Sequence, residues 1–191
     1  MRTLLLLSCL LFFISCGEEE ATIPKPRSYY RIDLPAKSYQ KSNLDCPYSF
    51  EYPTYARLLM DSSRPGERCW ANLDFPKLHA KVHLSYKAVD KNVAGFLEDS
   101  RTLAYKHAVK ASQIDEYVVT RPEQNVYGMI YEIGGNAASS IQFHVTDSSK
   151  NFFRGALYFY ASPNSDSLAP VVSFVRSDIE HLLKTFKWKK S

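Results

Sequence analysis

Apolar and polar positions alternate along residues 46–52, where Tyr48, Phe50 and Tyr52 share one side and Ser49 and Glu51 the other. A period of two marks a strand with one buried face. The alternation recurs at 80–89, with Ala80, Val82, Leu84 and Tyr86 against Lys81, His83 and Ser85. It recurs again at 139–146, with Ile141, Phe143 and Val145 against Gln142, His144 and Thr146. Less regular runs at 55–60, 69–75, 116–120 and 125–133 read as further strands. The stretch 152–161 is aromatic on both sides, which predicts a central strand covered on both faces. Turn-forming clusters at 62–67, 134–136 and 147–151 separate these runs.

Two stretches change period. Val93, Phe96, Leu97, Ser100, Leu103, Ala104, His107, Ala108 and Ala111 recur at steps of three and four, predicting a helix over 93–111. Val171, Phe174, Val175, Asp178, Ile179, Leu182, Leu183 and Phe186 predict a second helix, from 166 or 167 to 186, with Pro170 in its first turn. Phe174, Ile179, Leu182 and Phe186 are the expected core contribution. Four strands, a helix, four strands and a helix make an α+β domain, a mainly antiparallel sheet packed by two long helices. The same order resembles the Mog1/PsbP-like sandwich, an analogy that concerns topology and not function.

The start of the chain has neither period. Residues 4–14 are continuously apolar after Met1-Arg2-Thr3, and Ser15-Cys16 ends the run. Eleven or so apolar residues suit a signal peptide, whereas a membrane-spanning helix needs about 20. A small residue directly before a Cys resembles the bacterial lipoprotein signal, in which the thiol receives lipid and the chain is cut before it. Cys16 fits that role better than Cys9, which leaves only residues 4–7 as an apolar core. An uncleaved anchor or a core strand is the alternative. Residues 17–45 hold three prolines and no periodicity, the mark of an extended tether, although 28–34 is aromatic enough to dock on a surface. The expected division is a signal at 1–15, a lipidated Cys with its tether at 16–45, and a globular domain at 46–191.

Charge narrows the function. The chain carries a net +4, with its one dense basic cluster at Lys187-Trp188-Lys189-Lys190. Nucleic-acid binding calls for a basic stripe along an element, so no nucleic-acid partner is expected. Once Cys9 and Cys16 are assigned to the signal and the lipid, Cys46 and Cys69 remain. In an exported chain they invite a bridge, closing a loop of about 24 residues worth roughly 3 kcal/mol. Two separately buried thiols are the alternative.

Recognisable chemistry is missing. There is no Gly-x-Ser-x-Gly, phosphate loop, His-Glu-x-x-His or Cys-x-x-Cys. His79 and His83 share a strand face but stand about 13 Å apart, too far for one metal ion. His107 reads as a core-edge histidine, and nothing activates Ser139 or Ser140. No catalytic residue, no cofactor and no metal ligand are therefore expected.

Several motifs together carry a resemblance. They are Pro24-Lys25-Pro26-Arg27-Ser28-Tyr29-Tyr30-Arg31-Ile32-Asp33-Leu34-Pro35, Cys46-Pro47-Tyr48-Ser49-Phe50-Glu51-Tyr52, Cys69-Trp70 and Phe75-Pro76-Lys77. Further on come Val126-Tyr127-Gly128, Ser140-Ile141-Gln142-Phe143, Gly155-Ala156-Leu157-Tyr158-Phe159 and Asp166-Ser167-Leu168-Ala169-Pro170. In this order they resemble the GldD family of gliding-motility lipoproteins of Bacteroidota. The resemblance implies a non-enzymatic, lipid-anchored envelope protein required for gliding and linked to type IX secretion, attached to the membrane through Cys16. It maps Cys46 and Cys69 as a pair and carries over no catalytic residue. Glu18-Glu19-Glu20, just after the lipidated Cys, resembles a signal for transport to the outer leaflet, with a solvated acidic spacer as the alternative. The outer membrane is the expected site, and whether the domain faces the surface or the periplasm stays open. Three functions follow as candidates: an assembly or stabilising factor that binds other gliding or secretion envelope proteins, a small-molecule or polysaccharide-binding module, and a cryptic hydrolase.

Overall fold

The computed structural model describes residues 32–63, 66–106, 110–162 and 164–189. Cys16, the signal, Glu18-Glu19-Glu20 and His107 lie outside the described residues.

Seven strands form one antiparallel sheet. They are β4 (Arg57–Met60), β5 (Ala71–Phe75), β6 (Ala80–Ala88), β7 (Ala111–Arg121), β8 (Val126–Gly135), β9 (Ser139–Thr146) and β10 (Asn151–Phe159). Their order across the sheet is β4-β5-β6-β10-β9-β8-β7, which puts the doubly aromatic β10 in the middle, as its pattern required. Gly155 lies at its centre because an added Cβ would run into the Phe143 ring on β9. Two hairpins, β5–β6 and β7–β8, close in the same way. Each has a Pro-led 3₁₀ turn, Pro76–Leu78 or Pro122–Gln124, ending in a left-handed residue, His79 (φ 48°) or Asn125 (φ 52°). His79 is thereby a turn residue, of a type that tolerates positive φ better than most.

One helix is long and one is short, which corrects the expectation of two long helices. Helix α1 (Val93–Tyr105) has 13 residues and α2 (Ser165–Thr185) has 21. The period through His107, Ala108 and Ala111 overstated α1, since Ala111 opens the long edge strand β7. Helix α2 starts earlier than its pattern suggested. Asn164 caps it, its side chain accepting from the Ser167 N–H at 3.2 Å. Pro170 therefore falls beyond the first turn and forgoes one helical bond. At the other end the Arg121 guanidinium donates to the Leu183 and Phe186 carbonyls at 2.9 and 2.8 Å, two acceptors the helix leaves unpaired.

Side chains alternate across the sheet, so each strand serves two faces. Helix α2 covers one of them. Val171, Val175, Ile179, Leu182, Leu183 and Phe186 pack on Leu73, Val82, Leu84, Ile141, Phe143, Phe153 and Leu157, all buried. Phe174 is only half-buried. Burying side chains of this size contributes roughly 1.5–3 kcal/mol each before entropy is counted.

The domain also begins before residue 46, against the expected division. Residues from Ile32 onward belong to the same compact unit. Strand β1 (Tyr39–Lys41) pairs with β3 (Glu51–Pro53), and β2 (Tyr48–Ser49) pairs with β11 (Lys187–Trp188). The run 46–52 is thus two short strands joined through Phe50, and both Tyr48 and Phe50 sit in the core. Cys46 is bonded to Cys69, with Cα atoms 5.5 Å apart, which ties this layer to the start of β5.

Asp178 explains why the incoming chain stays down. It is a buried carboxylate on the core-facing side of α2. Its Oδ1 accepts from Lys37 Nζ at 2.6 Å and Tyr39 OH at 3.0 Å, and its Oδ2 from Tyr55 OH at 2.6 Å. Burial, followed by the bond to Asp178, pushes the Tyr39 phenol up to about 12 and Tyr55 higher still. Tyr39 also stacks on His181, ring centroids 3.6 Å apart, while His181 Nε2 meets Glu51 Oε2 at 2.8 Å.

Candidate functional site: the half-covered sheet face

The second face of the sheet is built from the polar halves of the same strands. Helix α1 covers its β8–β9–β10 part, through buried Ser100, through Ala104, which clusters with Tyr131 and Ile133 of β8, and through Phe96, whose ring lies 5.3 Å from that of Phe152. Beyond α1 the strand register sets out a row of side chains: Asn72, His83, Ala156, Gln142 and Tyr131. The neighbouring row holds Ser85, Arg154, His144 and Met129. Ala156 is the smallest member of its row, and the sheet is hollow above it. The hollow measures about 430 Å³ and is lined among others by Trp70, Asn72, His83, Ser85, Arg154 and Tyr158, with Asp61 at its rim.

The polar groups here are tightly enclosed. Gln142 is 1% exposed and His144 5%. Arg154 Nη2 donates to Gln142 Oε1 at 2.5 Å, which leaves the amide's other end, Nε2, buried without an acceptor. His144 Nδ1 is likewise buried without a partner. Burial first, and the Arg154 charge second, hold His144 down at about 4, so this imidazole is neutral near pH 7. Burial also lowers the Arg154 guanidinium, although it stays charged. No carboxylate pairs with Arg154 among the described residues. His83 stands at the exposed side of the hollow, its Nδ1 2.6 Å from Asn72 Oδ1.

The histidines of the sequence are therefore scattered in role. His79 shapes a turn, His83 and His144 share this face, and His181 braces the clasp on α2. No group of three His, Cys, Asp or Glu side chains is placed to hold a metal ion among the described residues. Ser139 is buried and its Oγ donates to the Ile141 carbonyl at 3.3 Å. The alternation set Gln142, His144 and Thr146 opposite Ile141, Phe143 and Val145 without singling them out, and Arg154 was missed. The available signal was an Arg inside the most apolar strand of the chain.

A second feature lies at the sheet's edge. Strand β7 has 11 residues, and no strand pairs with its outer side among the described residues. Val118 is 73% exposed and Tyr117 43%. Leu59 and Met60 are exposed on the opposite, four-residue edge β4.

The family described as gliding motility lipoprotein GldD matches residues 19–188. The chain belongs to the GldD family. No curated protein matches it. Among solved structures it is similar to the solution structure of cyanobacterial PsbP (CyanoP) from Synechocystis sp. PCC 6803, at 12% identity and a TM-score of 0.50, over 82% of this chain and 95% of that one. That likeness speaks to fold alone and agrees with the PsbP-like topology. GldD membership makes the chain a gliding-motility lipoprotein, held to the cell envelope by lipid. Among the described residues no helix is long and apolar enough to cross a membrane. The amphipathic α2 is spent on the core.

Proposed function

We propose that this GldD-family lipoprotein is a non-enzymatic assembly or stabilising factor of the gliding and type IX secretion machinery, tethered to the outer membrane through Cys16. It acts by binding other envelope proteins. The observation that carries this reading is the open edge β7. An eleven-residue strand whose outer edge pairs with no strand among the described residues, with Tyr117 and Val118 exposed on it, is a template for strand addition by a partner. Asp115 and Glu116 on the same strand discourage indiscriminate pairing of two edges.

The test is a photo-crosslinking amino acid at position 118, compared with one at position 101 on α1, in native membranes. The expected result is a discrete adduct with another envelope protein from position 118 only. Equal labelling from both positions, or none from 118, would overturn the edge as the contact. Cys16→Ala is expected to leave an unprocessed precursor without acyl label. A lipidated chain lacking residues 32–191 is expected not to restore gliding to a deletion strain. Gln in place of His79, His83, His107, His144 or His181 is expected to leave gliding intact wherever the variant folds, and a folded variant without gliding would argue for a catalytic or metal role.

A further inference from the structure

We propose that the hollow above Ala156 is a binding site for a small hydroxylated carboxylate of the sugar-acid class, with Arg154 as its anion-holding residue. The reading goes beyond the protein-binding role and uses a different part of the molecule.

Three observations converge on one spot. Arg154 is a largely enclosed cation with no counter-anion among the described residues, and an enclosed charge without a partner is costly enough to be rare. Gln142 fixes that guanidinium through Oε1 and keeps a second donor, Nε2, shut from water with nothing to receive it. Ala156 lies between His83 on one neighbouring strand and Gln142 on the other, with Arg154 two residues before it and Tyr158 two residues after. A group resting on Ala156 therefore meets His83, Arg154 and Tyr158, which line the hollow, while the enclosed Gln142 braces Arg154. An acceptor-rich anion is what these donors lack. A planar carboxylate matches the two-pronged guanidinium.

The rest of the lining selects within the carboxylates. Asn72, Ser63, Ser85 and the Asp61 rim offer donors and acceptors suited to hydroxyl groups, and Trp70 and Tyr158 supply aromatic walls. About 430 Å³ lies in the range of pockets that take small ligands.

Titration calorimetry on the purified full-length lipoprotein in detergent at pH 7 tests this, with glucuronate, glucose and inorganic phosphate as separate probes. A glucuronate-containing oligosaccharide is a fourth and distinguishes a free sugar acid from an acidic polysaccharide residue as the source. Glucuronate is expected to bind, with glucose and phosphate about tenfold weaker or more, since each lacks a charge-assisted pair or fits it poorly. Arg154→Met should abolish glucuronate binding, and because it also strands the buried Gln142 Oε1 it is read only in the variant shown to be folded. Ala156→Leu fills the hollow without touching any charge and should also abolish binding, which decides the matter if the Arg154 variant fails to fold. No glucuronate binding by the folded wild type, equal binding of phosphate, or unchanged binding by either variant would overturn the site.

Discussion

The two faces of the sheet use the same strands and end up opposite in kind. The face under α2 is closed, with Val82, Val145, Phe153, Leu157, Val175 and Leu182 all at 0% exposure. The face under α1 also buries side chains, but beside Tyr131, Ile133, Phe152 and Ala156 they include Gln142, His144 and Thr146, and two of these polar ones keep orphaned atoms. Helix length makes the difference. The 21 residues of α2 carry one apolar stripe along the sheet, while the 13 of α1 pack toward β8, β9 and β10 and away from the hollow over β5 and β6. Stability is thus concentrated on one face. The other tolerates unsatisfied polar groups, each costing about 1–3 kcal/mol, a pattern expected where a surface is kept for binding.

The strongest way to break this asymmetry is to weaken both helices equally. Leu182→Ala is expected to cost about 2–5 kcal/mol, since the side chain is fully buried and the cavity cannot collapse around it. Leu103→Ala on α1, where the residue is 37% exposed, should cost less than about 1 kcal/mol. Urea unfolding of both variants checks this. Equal losses would mean that α1 is as much a part of the core as α2.

Acid should act on the polar face. His144 titrates at about 4 in the fold and near 6.5 when unfolded. Between those values the unfolded chain binds a proton that the fold refuses. The contribution is therefore complete above pH 6.5 and is lost as the pH falls towards 4. Its full size is at most about 3 kcal/mol. His144→Gln should flatten this part of the stability–pH curve while leaving the loss below pH 4 in place. Identical slopes for variant and wild type would remove His144 as the cause.

Asp178 sharpens the contrast from the closed side, because it is the one charge buried there among the described residues. Asp178→Ala strands Lys37, Tyr39 and Tyr55 without their acceptor. Lys37 keeps partial access to water, so the expected cost is about 2 kcal/mol rather than the 3–5 of a fully enclosed pair. Limited proteolysis should then cut within residues 32–41 before any other part of the domain. Unchanged protection of that segment would show that strand pairing alone holds it.

The closed face was readable from the sequence because burial there repeats with the period of its element. Ile179, Leu182 and Phe186 follow the helical step, and Leu84, Phe143 and Val145 the strand step. The clasp was not readable. Asp178 sat in the helical stripe, but its partners lie more than 120 residues earlier, where β1 is too short to show a period. The polar face was half readable. Alternation assigns Gln142 and His144 to the side away from α2, but it cannot tell whether that side is wet. Only the placement of α1 over β9 and β10 shuts them in. Arg154 escaped notice because the flanking aromatics dominate the pattern of β10.

The smallest effect on stability is expected at the edge, where the effect on function should be large. Val118 projects into solvent from β7 and contributes almost nothing to the fold. Val118→Lys should therefore change stability by no more than about 0.5 kcal/mol. Lysine is also the residue that sheet edges use to repel pairing, so the same change should weaken strand addition by a partner. Leu59→Lys on the short edge β4 is the matched control, since Leu59 is 56% exposed and the change of chemistry is the same. Gliding and crosslinking should fall with the Val118 variant and survive in the Leu59 variant. If both variants glide normally, the edges are merely exposed, and binding must be sought on the half-covered face. If both fail while remaining folded, the loss follows from added charge and not from the length of β7.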